Sequence, residues 1–120
     1  MATENKSTGS DSKETLLSFL KALNEEDFET ARSFVTDDLR FEGVLGARDG
    51  AAAYFTDMER MRFKYAIKSV IAEGEAVAAL FDVTIQGKAI FTSGWYHLRE
   101  GKISSIKIIF DPRPLVEKKD

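Results

Sequence analysis

One carboxylate in this sequence interrupts an otherwise apolar stretch. Asp82 follows Val77–Phe81 and precedes Val83–Ile85, in a segment whose period-two pattern predicts a strand. A carboxyl group that faces an apolar cavity is desolvated, which raises its pKa and suits it to general acid–base catalysis. The alternative is a structural carboxylate that a nearby hydroxyl or backbone donor satisfies, or that pairs with Arg62 or Lys64. The sequence leaves both alternatives open.

Two further titratable groups could assist Asp82 in catalysis. Asp111 ends the last predicted strand, although an aspartate before a proline also sets a turn. His97 is the single histidine, and an isolated histidine near a hairpin is often only a solvated residue. With ~3.3 Å per strand residue, His97 and Asp111 lie roughly 20 Å apart, which excludes a direct dyad.

The composition excludes several classes of function. The 120 residues carry 17 basic and 20 acidic side chains, a net charge of −3, so no nucleic-acid or anionic-membrane surface is expected. The absence of cysteine and the single histidine argue against disulfides, thiolate catalysis and a metal site. We expect no cofactor and no metal. No apolar run is long enough for a membrane span or a signal peptide, so the cytoplasm is the expected location.

The chain divides into one folded unit with a polar segment at each end. Residues 1–10 predict a disordered tail, 11–113 a single domain, and 114–120 a charged tail. Apolar spacing in the first half predicts a helix from Asp11 or Ser12 to Asn24, a short helix capped by Asp27, a short strand over Leu39–Leu45, and a helix after Gly50.

After the third helix, the apolar residues recur at every second position. Four strands are predicted over Phe63–Glu73, Ala76–Ile85, Lys88–Arg99 and Lys102–Phe110, with tight turns between them. Three helices before an antiparallel meander predict an α+β fold, in which a curved sheet of about five strands wraps around the helices as a cone.

Hairpin register indicates which side chains share a face. Two-residue turns place Asp82 on one face together with an aromatic and polar set: Tyr65, Phe91, Ser93, Trp95, His97 and Ile108. With Tyr54 from the third helix, these residues predict a pocket for an apolar, ring-containing ligand. An ordinary helix–sheet core would use the same residues. Arg40 and Arg48 are expected to be solvated.

The other face of the predicted sheet is also apolar. The same register places five apolar side chains there: Phe81, Val83, Ile90, Tyr96 and Ile109. A monomer rarely leaves so large an apolar patch in water. We therefore expect a homodimer formed through the sheet. The alternative is that the tails fold over this face.

Several landmarks resemble the nuclear transport factor 2-like superfamily, which includes ketosteroid isomerases, limonene-epoxide hydrolases and SnoaL-like polyketide cyclases. They are Asn24–Phe28 between the first two helices, Phe34–Gly43 at the entry to the first strand, Gly101–Ile103 in the last hairpin and Ile109–Pro112 in the closing strand. The resemblance covers about Asp11–Pro112. It implies a cone-shaped fold with a cavity, on which enzymes, binders and transport factors all occur.

None of the catalytic sets of these relatives is complete in this chain. The isomerase base position carries Gly43 beside Glu42, and the region Ser93–Trp95 has no carboxyl group for the oxyanion hole. Of the hydrolase set, only Asp82 remains, and the closing-strand position falls near Ile108. Asp111 is the nearest match to the cyclase acid.

Two functions are therefore expected from the sequence. The first is a SnoaL-like pocket protein acting as a cofactor-independent isomerase or cyclase on an apolar ring-containing substrate, with Asp82 and Asp111 as acid–base groups. The second is a non-catalytic ligand-binding or dimerisation module of the same fold.

Overall fold

The computed structural model describes residues 9–116. Residues 1–8 and 117–120, which belong to the two predicted tails, lie outside the described residues. Within the described residues, the first helix begins at Gly9, two residues before the expected start of the domain at residue 11. A short helix over Arg113–Val116 likewise occupies the start of the predicted charged tail.

The helices follow the predicted order. They are α1 (Gly9–Asn24), α2 (Phe28–Arg32), α3 (Ala51–Met61) and α4 (Arg113–Val116). Asp27 caps α2 as predicted, because its side chain accepts a hydrogen bond from the Thr30 amide at 3.2 Å. α3 ends at Arg62, which adopts a left-handed backbone conformation with φ of 53°.

Six strands form one sheet: β1 (Val35–Gly43), β2 (Gly46–Asp49), β3 (Lys64–Glu73), β4 (Ala76–Ile85), β5 (Lys88–Arg99) and β6 (Lys102–Phe110). Their order is β2-β1-β6-β5-β4-β3, and only the β1–β6 pair is parallel among these neighbours. The α+β class is confirmed. The sequence-based expectation of about five strands missed β2, whose glycine-rich surroundings weaken the strand pattern.

The tight turns of the meander are where the sequence placed them. Gln86 and Gly87 both have positive φ, as do Glu100 and Gly101, which is the backbone of a two-residue type I′ hairpin. The β4–β5 register is therefore as predicted, with Asp82 opposite Phe91.

Two irregularities shift the other hairpins by one residue. One lies between Ile67 and Ser69 in β3, and the other between His97 and Leu98 in β5. Beyond them, Tyr65 pairs with Val83, and Ser93 pairs with Ile109. The predicted pairs of Tyr65 with Thr84 and of Ser93 with Ile108 are therefore wrong. Because a one-residue slip moves a side chain to the other face, Tyr65 and Ile108 lie on the face opposite to Asp82.

The core lies between the helices and the face that carries Phe81 and Tyr96, which we call the inner face. Four side chains of α1 pack here almost without exposure: Leu16, Phe19, Leu20 and Leu23. Phe19 meets Phe55 of α3 edge to face, with ring centroids 6.5 Å apart. The prediction that Phe81, Val83, Ile90 and Tyr96 form an exposed face is wrong, because all four are buried; only Ile109 of that set is exposed.

A side-chain amide joins the end of α1 to the start of β3. Asn24 accepts a hydrogen bond from the Tyr65 amide at 2.7 Å and donates one to the Tyr65 carbonyl at 2.9 Å. The amide therefore serves as a substitute strand partner for Tyr65 at the sheet edge. It fixes the backbone that carries the Tyr65 ring.

Replacing Asn24 tests this contact. Asn24→Ala removes two part-buried hydrogen bonds and leaves the Tyr65 backbone groups unpaired, so we expect a loss of about 1–3 kcal/mol in unfolding free energy. Chemical denaturation measures it. Asn24→Asp keeps the acceptor and loses the donor, and should give an intermediate value. Equal stability of Asn24→Ala and wild type would show that water replaces the amide at no cost.

Candidate functional site

A cavity of about 310 Å³ opens between the inner face, α3 and the β1–β2 hairpin. Its walls are mainly apolar and aromatic, and include Phe41, Met58, Phe81, Val83, Ile108 and Phe110. The volume is at the lower end of the range for small-molecule sites, about 300–1,000 Å³. It has room for a molecule with a few fused rings.

Three phenol groups line this cavity. Tyr54 comes from α3, Tyr65 from β3 and Tyr96 from β5. Burial raises the pKa of all three above the ordinary value, and neighbouring phenols raise the pKa of Tyr54 and Tyr96 further. At neutral pH each hydroxyl is therefore a neutral group that can donate a hydrogen bond.

Two of these hydroxyls have no hydrogen-bond partner among the described residues. They belong to Tyr54 and Tyr96, which are both almost fully buried. The Tyr65 hydroxyl has only a weak acceptor, the Met58 sulfur at 3.9 Å. By contrast, the Thr92 hydroxyl, which also lines the cavity, already donates to the Ile90 carbonyl at 2.9 Å. The phenols of Tyr54 and Tyr96 are thus available to a ligand.

The position of the Tyr96 ring depends on a glycine. The ring folds back over Gly94 on the same face of β5, so closely that a Cβ on Gly94 would lie 2.6 Å from the ring and 2.9 Å from its hydroxyl oxygen. Any side chain at residue 94 would displace the ring. Gly94 therefore leaves the space that the Tyr96 ring and its hydroxyl occupy.

One ion pair lies at the wall of the cavity. Arg48 of β2 donates from Nε to the Asp57 carboxylate of α3 at 2.8 Å, and both residues line the cavity. Arg60 contacts the other carboxylate oxygen at 3.1 Å. Arg48 was expected to be solvated and is exposed, and its pairing with Phe41 across the hairpin also places it on the cavity side.

The predicted pocket residues are divided between the two faces of the sheet. Tyr54, Tyr65 and Ile108 line the cavity. The others lie on the opposite face, which we call the outer face: Asp82, Phe91, Ser93, Trp95 and His97. The prediction that all these residues share one face is wrong, because both bulges move their partner residues across the sheet.

Asp82 has the surroundings of a structural carboxylate. Its side chain is 32% exposed and faces Lys68 at 3.5 Å on the outer face. The sequence left an ion pair open as the alternative to catalysis and named Arg62 and Lys64 as partners. The partner is instead Lys68, the residue at the β3 bulge.

Asp111 and His97 also lie away from the cavity walls. Asp111 is exposed, accepts a hydrogen bond from the Arg113 amide at 3.0 Å and pairs with its guanidinium at 2.6 Å, which lowers the pKa of the carboxyl group. This is the turn-setting role that the sequence offered as the alternative. The His97 ring packs against Trp95 on the outer face, with ring centroids 5.9 Å apart.

Sequence reasoning missed several residues of the site, among them Arg48, Asp57, Phe81 and Tyr96. A signal existed for Asp57, since Tyr54, Asp57, Met58 and Met61 follow helical spacing and Asp57 is the polar member of that stripe. For Phe81 and Tyr96 the alternation was recognised but assigned to the wrong face. Arg48 could not be placed without β2.

Residues 9–116 contain neither a metal-ligand cluster nor a membrane-spanning helix. No group of three or more potential metal-ligating side chains comes together there. None of the helices in that range combines the length and apolarity needed to cross a membrane.

The fold and its cavity define a small α+β domain with a curved sheet around one apolar pocket. Residues 16–106 match the SnoaL-like domain family, which is more than half of the chain. The chain therefore belongs to the SnoaL-like domain family. No protein with a curated description matches the sequence significantly.

Solved structures place this family within the nuclear transport factor 2-like (NTF2-like) fold. An NTF2-like protein of unknown function from Cytophaga hutchinsonii is 38% identical, with a TM-score of 0.87 over 98% of this chain and 100% of that chain. An LEH-like epoxide hydrolase from M. tuberculosis is 26% identical, with a TM-score of 0.76 over 86% and 84% of the two chains. A candidate ketosteroid isomerase from Kribbella flavida is 14% identical, with a TM-score of 0.79 over 93% and 92%. At that identity the last likeness concerns the fold alone.

The buried phenols predict a steep loss of stability at alkaline pH. An unfolded tyrosine ionises near pH 10, whereas the folded chain keeps its phenols protonated to higher pH. The folded state therefore binds more protons above pH 10, and unfolding free energy should fall by up to about 1.4 kcal/mol per pH unit for each tyrosine. All three tyrosines of the chain line the cavity, so tyrosinate absorbance should appear only together with unfolding.

Tyr54→Phe provides the comparison for this titration. Above pH 10, the unfolding free energy of this variant should fall less steeply with pH than that of wild type, by the contribution of one tyrosine. The titration of lysines is the same in both proteins and cancels in the comparison. Tyrosinate absorbance that rises near pH 10 in the still-folded protein would contradict the predicted burial of these groups.

Proposed function

We propose that this protein binds an apolar, ring-containing small molecule that carries a hydrogen-bond acceptor such as a carbonyl oxygen. The observation that carries the proposal is an apolar cavity lined by Tyr54 and Tyr96, whose hydroxyls make no hydrogen bond to the described residues. A phenol hydroxyl that lines a cavity and has no protein acceptor can donate its hydrogen bond to a ligand acceptor. The cytoplasmic location expected from the composition remains part of this proposal.

The site favours binding over acid–base catalysis. An isomerase or cyclase that moves a proton needs a base within reach of the substrate. Among the described residues that line the cavity, Asp57 is the one carboxylate, and two guanidinium groups hold its oxygens. Asp82 and Asp111, the acid–base groups expected from the sequence, pair with cations away from the cavity.

A pair of isosteric ligands tests the role of the phenols. 2-Acetylnaphthalene and 2-isopropenylnaphthalene have nearly the same shape, but only the ketone accepts a hydrogen bond. We expect calorimetry to show about tenfold tighter binding of the ketone. The double variant Tyr54→Phe/Tyr96→Phe should abolish this preference and leave unfolding free energy unchanged or higher, because the hydroxyls make no protein hydrogen bonds.

Thr92→Val is the matched control for the phenol variants. It also removes a hydroxyl from the cavity wall, but one that already donates to the Ile90 carbonyl, so the ketone preference should survive. The binding proposal would be abandoned if neither naphthalene bound, or if the double variant kept the preference.

The same ketone distinguishes binding from catalysis. Its acetyl methyl group exchanges hydrogen for deuterium only when a base removes a proton and an enolate forms. We expect proton NMR in D₂O to show binding without accelerated exchange. Exchange that the protein accelerates would instead support the isomerase or cyclase alternative.

We also propose that the chain forms a homodimer through the outer face. This face carries four exposed apolar side chains on adjoining rows: Phe91 at 58% exposure, Trp95 at 46%, and Ile71 and Ile109 at 65% each. The ion pairs Lys68–Asp82 and Lys107–Glu42 flank them. An apolar centre with a polar rim is the composition of a protein interface.

A charge in the centre of the outer face tests the dimer. Ile109→Glu should weaken self-association by about tenfold or more in analytical ultracentrifugation, because the buried carboxylate would lack a partner. Leu45→Glu is the matched control: Leu45 is also 65% exposed, but it lies at the cavity. Trp95, the single tryptophan, should show a red-shifted emission when wild type dissociates on dilution. A wild type that sediments as a monomer at the highest soluble concentration would refute the dimer.

A further inference from the structure

The cavity has an uneven charge distribution. Arg48 is the one cation and Asp57 the one anion among the described lining residues. The Asp57 carboxylate also forms an ion pair with Arg60, which contacts its second oxygen at 3.1 Å. Two guanidinium groups therefore share one carboxylate, and the cluster keeps one unit of positive charge beside an otherwise apolar cavity.

The two arginines of the β1–β2 hairpin lie on opposite sides of it. Arg48 pairs across the hairpin with Phe41, whose ring packs against Tyr54 at 5.4 Å, so Arg48 stands on the cavity side. Arg40 pairs with Asp49 on the other side and contacts its carboxylate at 2.8 Å. Asp49 therefore does not neutralise the charge at the cavity.

Only some of the hydrogen-bond donors of the Arg48 guanidinium bind protein groups. Its Nε binds Asp57 and one terminal nitrogen donates to its own neighbour, the Ala47 carbonyl, at 3.0 Å. The side chain is 48% exposed, whereas the Asp57 side chain is 17% exposed. The anion is thus covered, whereas the cation, which also lines the cavity, remains accessible. A planar guanidinium with unused donors is suited to a carboxylate.

We infer that the ligand of this cavity is a monocarboxylic acid, with its rings among the aromatic walls and its carboxylate on Arg48. This inference rests on the proposed binding function and adds the class of ligand. One unit of excess charge matches a monoanion, whereas the neighbouring Asp57 carboxylate would repel a dianionic phosphate. Arg48 is then the residue that selects acids over their neutral analogues.

Two probes that differ only in charge test the inference. 6-Acetyl-2-naphthoic acid and 6-acetyl-2-naphthamide share rings, shape and ketone. We expect calorimetry at neutral pH and low salt to show about tenfold tighter binding of the acid by wild type. Arg48→Gln should remove this difference and leave the affinity for the amide within about twofold. Arg40→Gln, on the other side of the same hairpin, is the matched control and should keep the preference for the acid.

Asp57→Asn adds a test of opposite sign. Asn keeps an oxygen that accepts from Arg48 but loses the negative charge that competes with the ligand. We therefore expect the acid to bind several-fold tighter to Asp57→Asn than to wild type, with the amide unchanged. If the Arg48–Asp57 pair were merely structural, Arg48→Gln and Asp57→Asn should change the affinity for the acid in the same direction.

The outcomes separate this inference from the binding function. Equal affinity of wild type for acid and amide, or a preference that persists in Arg48→Gln, would overturn the carboxylate assignment and leave the pocket proposal standing. Failure of both probes to bind wild type would instead remove the pocket proposal on which the inference rests.

Discussion

Side-chain alternation along the sheet, reset by two bulges, is the constraint on which the site depends. Without the irregularities at Ile67/Ser69 and His97/Leu98, Tyr65 and Ile108 would point away from the helices. With them, both residues join Phe81 and Tyr96 on the inner face and complete the cavity wall. A bulge adds one residue and bends its strand, so the same features also contribute to the curvature that makes room for a cavity.

This alternation also decides what chemistry the cavity can support. It places the Asp82 carboxylate on the outer face beside Lys68, where water and an ion pair stabilise its charge. The cavity keeps the Asp57 carboxylate, which Arg48 and Arg60 hold, and three phenols, whose raised pKa leaves them protonated donors and very weak acids. Neutral donors in an apolar wall hold an acceptor in place, but they do not remove a proton from carbon at neutral pH.

The sequence predicts the elements of this fold better than it predicts the faces of the sheet. Helices, strands and turns follow from local signals such as the Asp27 cap and the Gln86-Gly87 turn, and each of these was found where expected. The bulges leave no local signal, because one extra residue changes neither the apolar content nor the period on either side of it. The correct β4–β5 register and the shifted β5–β6 register show this difference within one strand. Arg48 was missed for a related reason, since its side of the hairpin exists only once β2 pairs with β1.

A single strand connects the two proposed surfaces of the protein. Along β5, Thr92 and Tyr96 face the cavity and Gly94 lies between them on the same face, while Phe91 and Trp95 face outward. A partner copy packed on the outer face would therefore restrain the backbone that holds Tyr96 over Gly94, where the ring leaves no room for a Cβ. Because side chains on opposite faces do not touch, any coupling between dimer and ligand has to pass through this backbone. The contacts of the outer face and those of the cavity thus involve different side chains, but both depend on the backbone of β5.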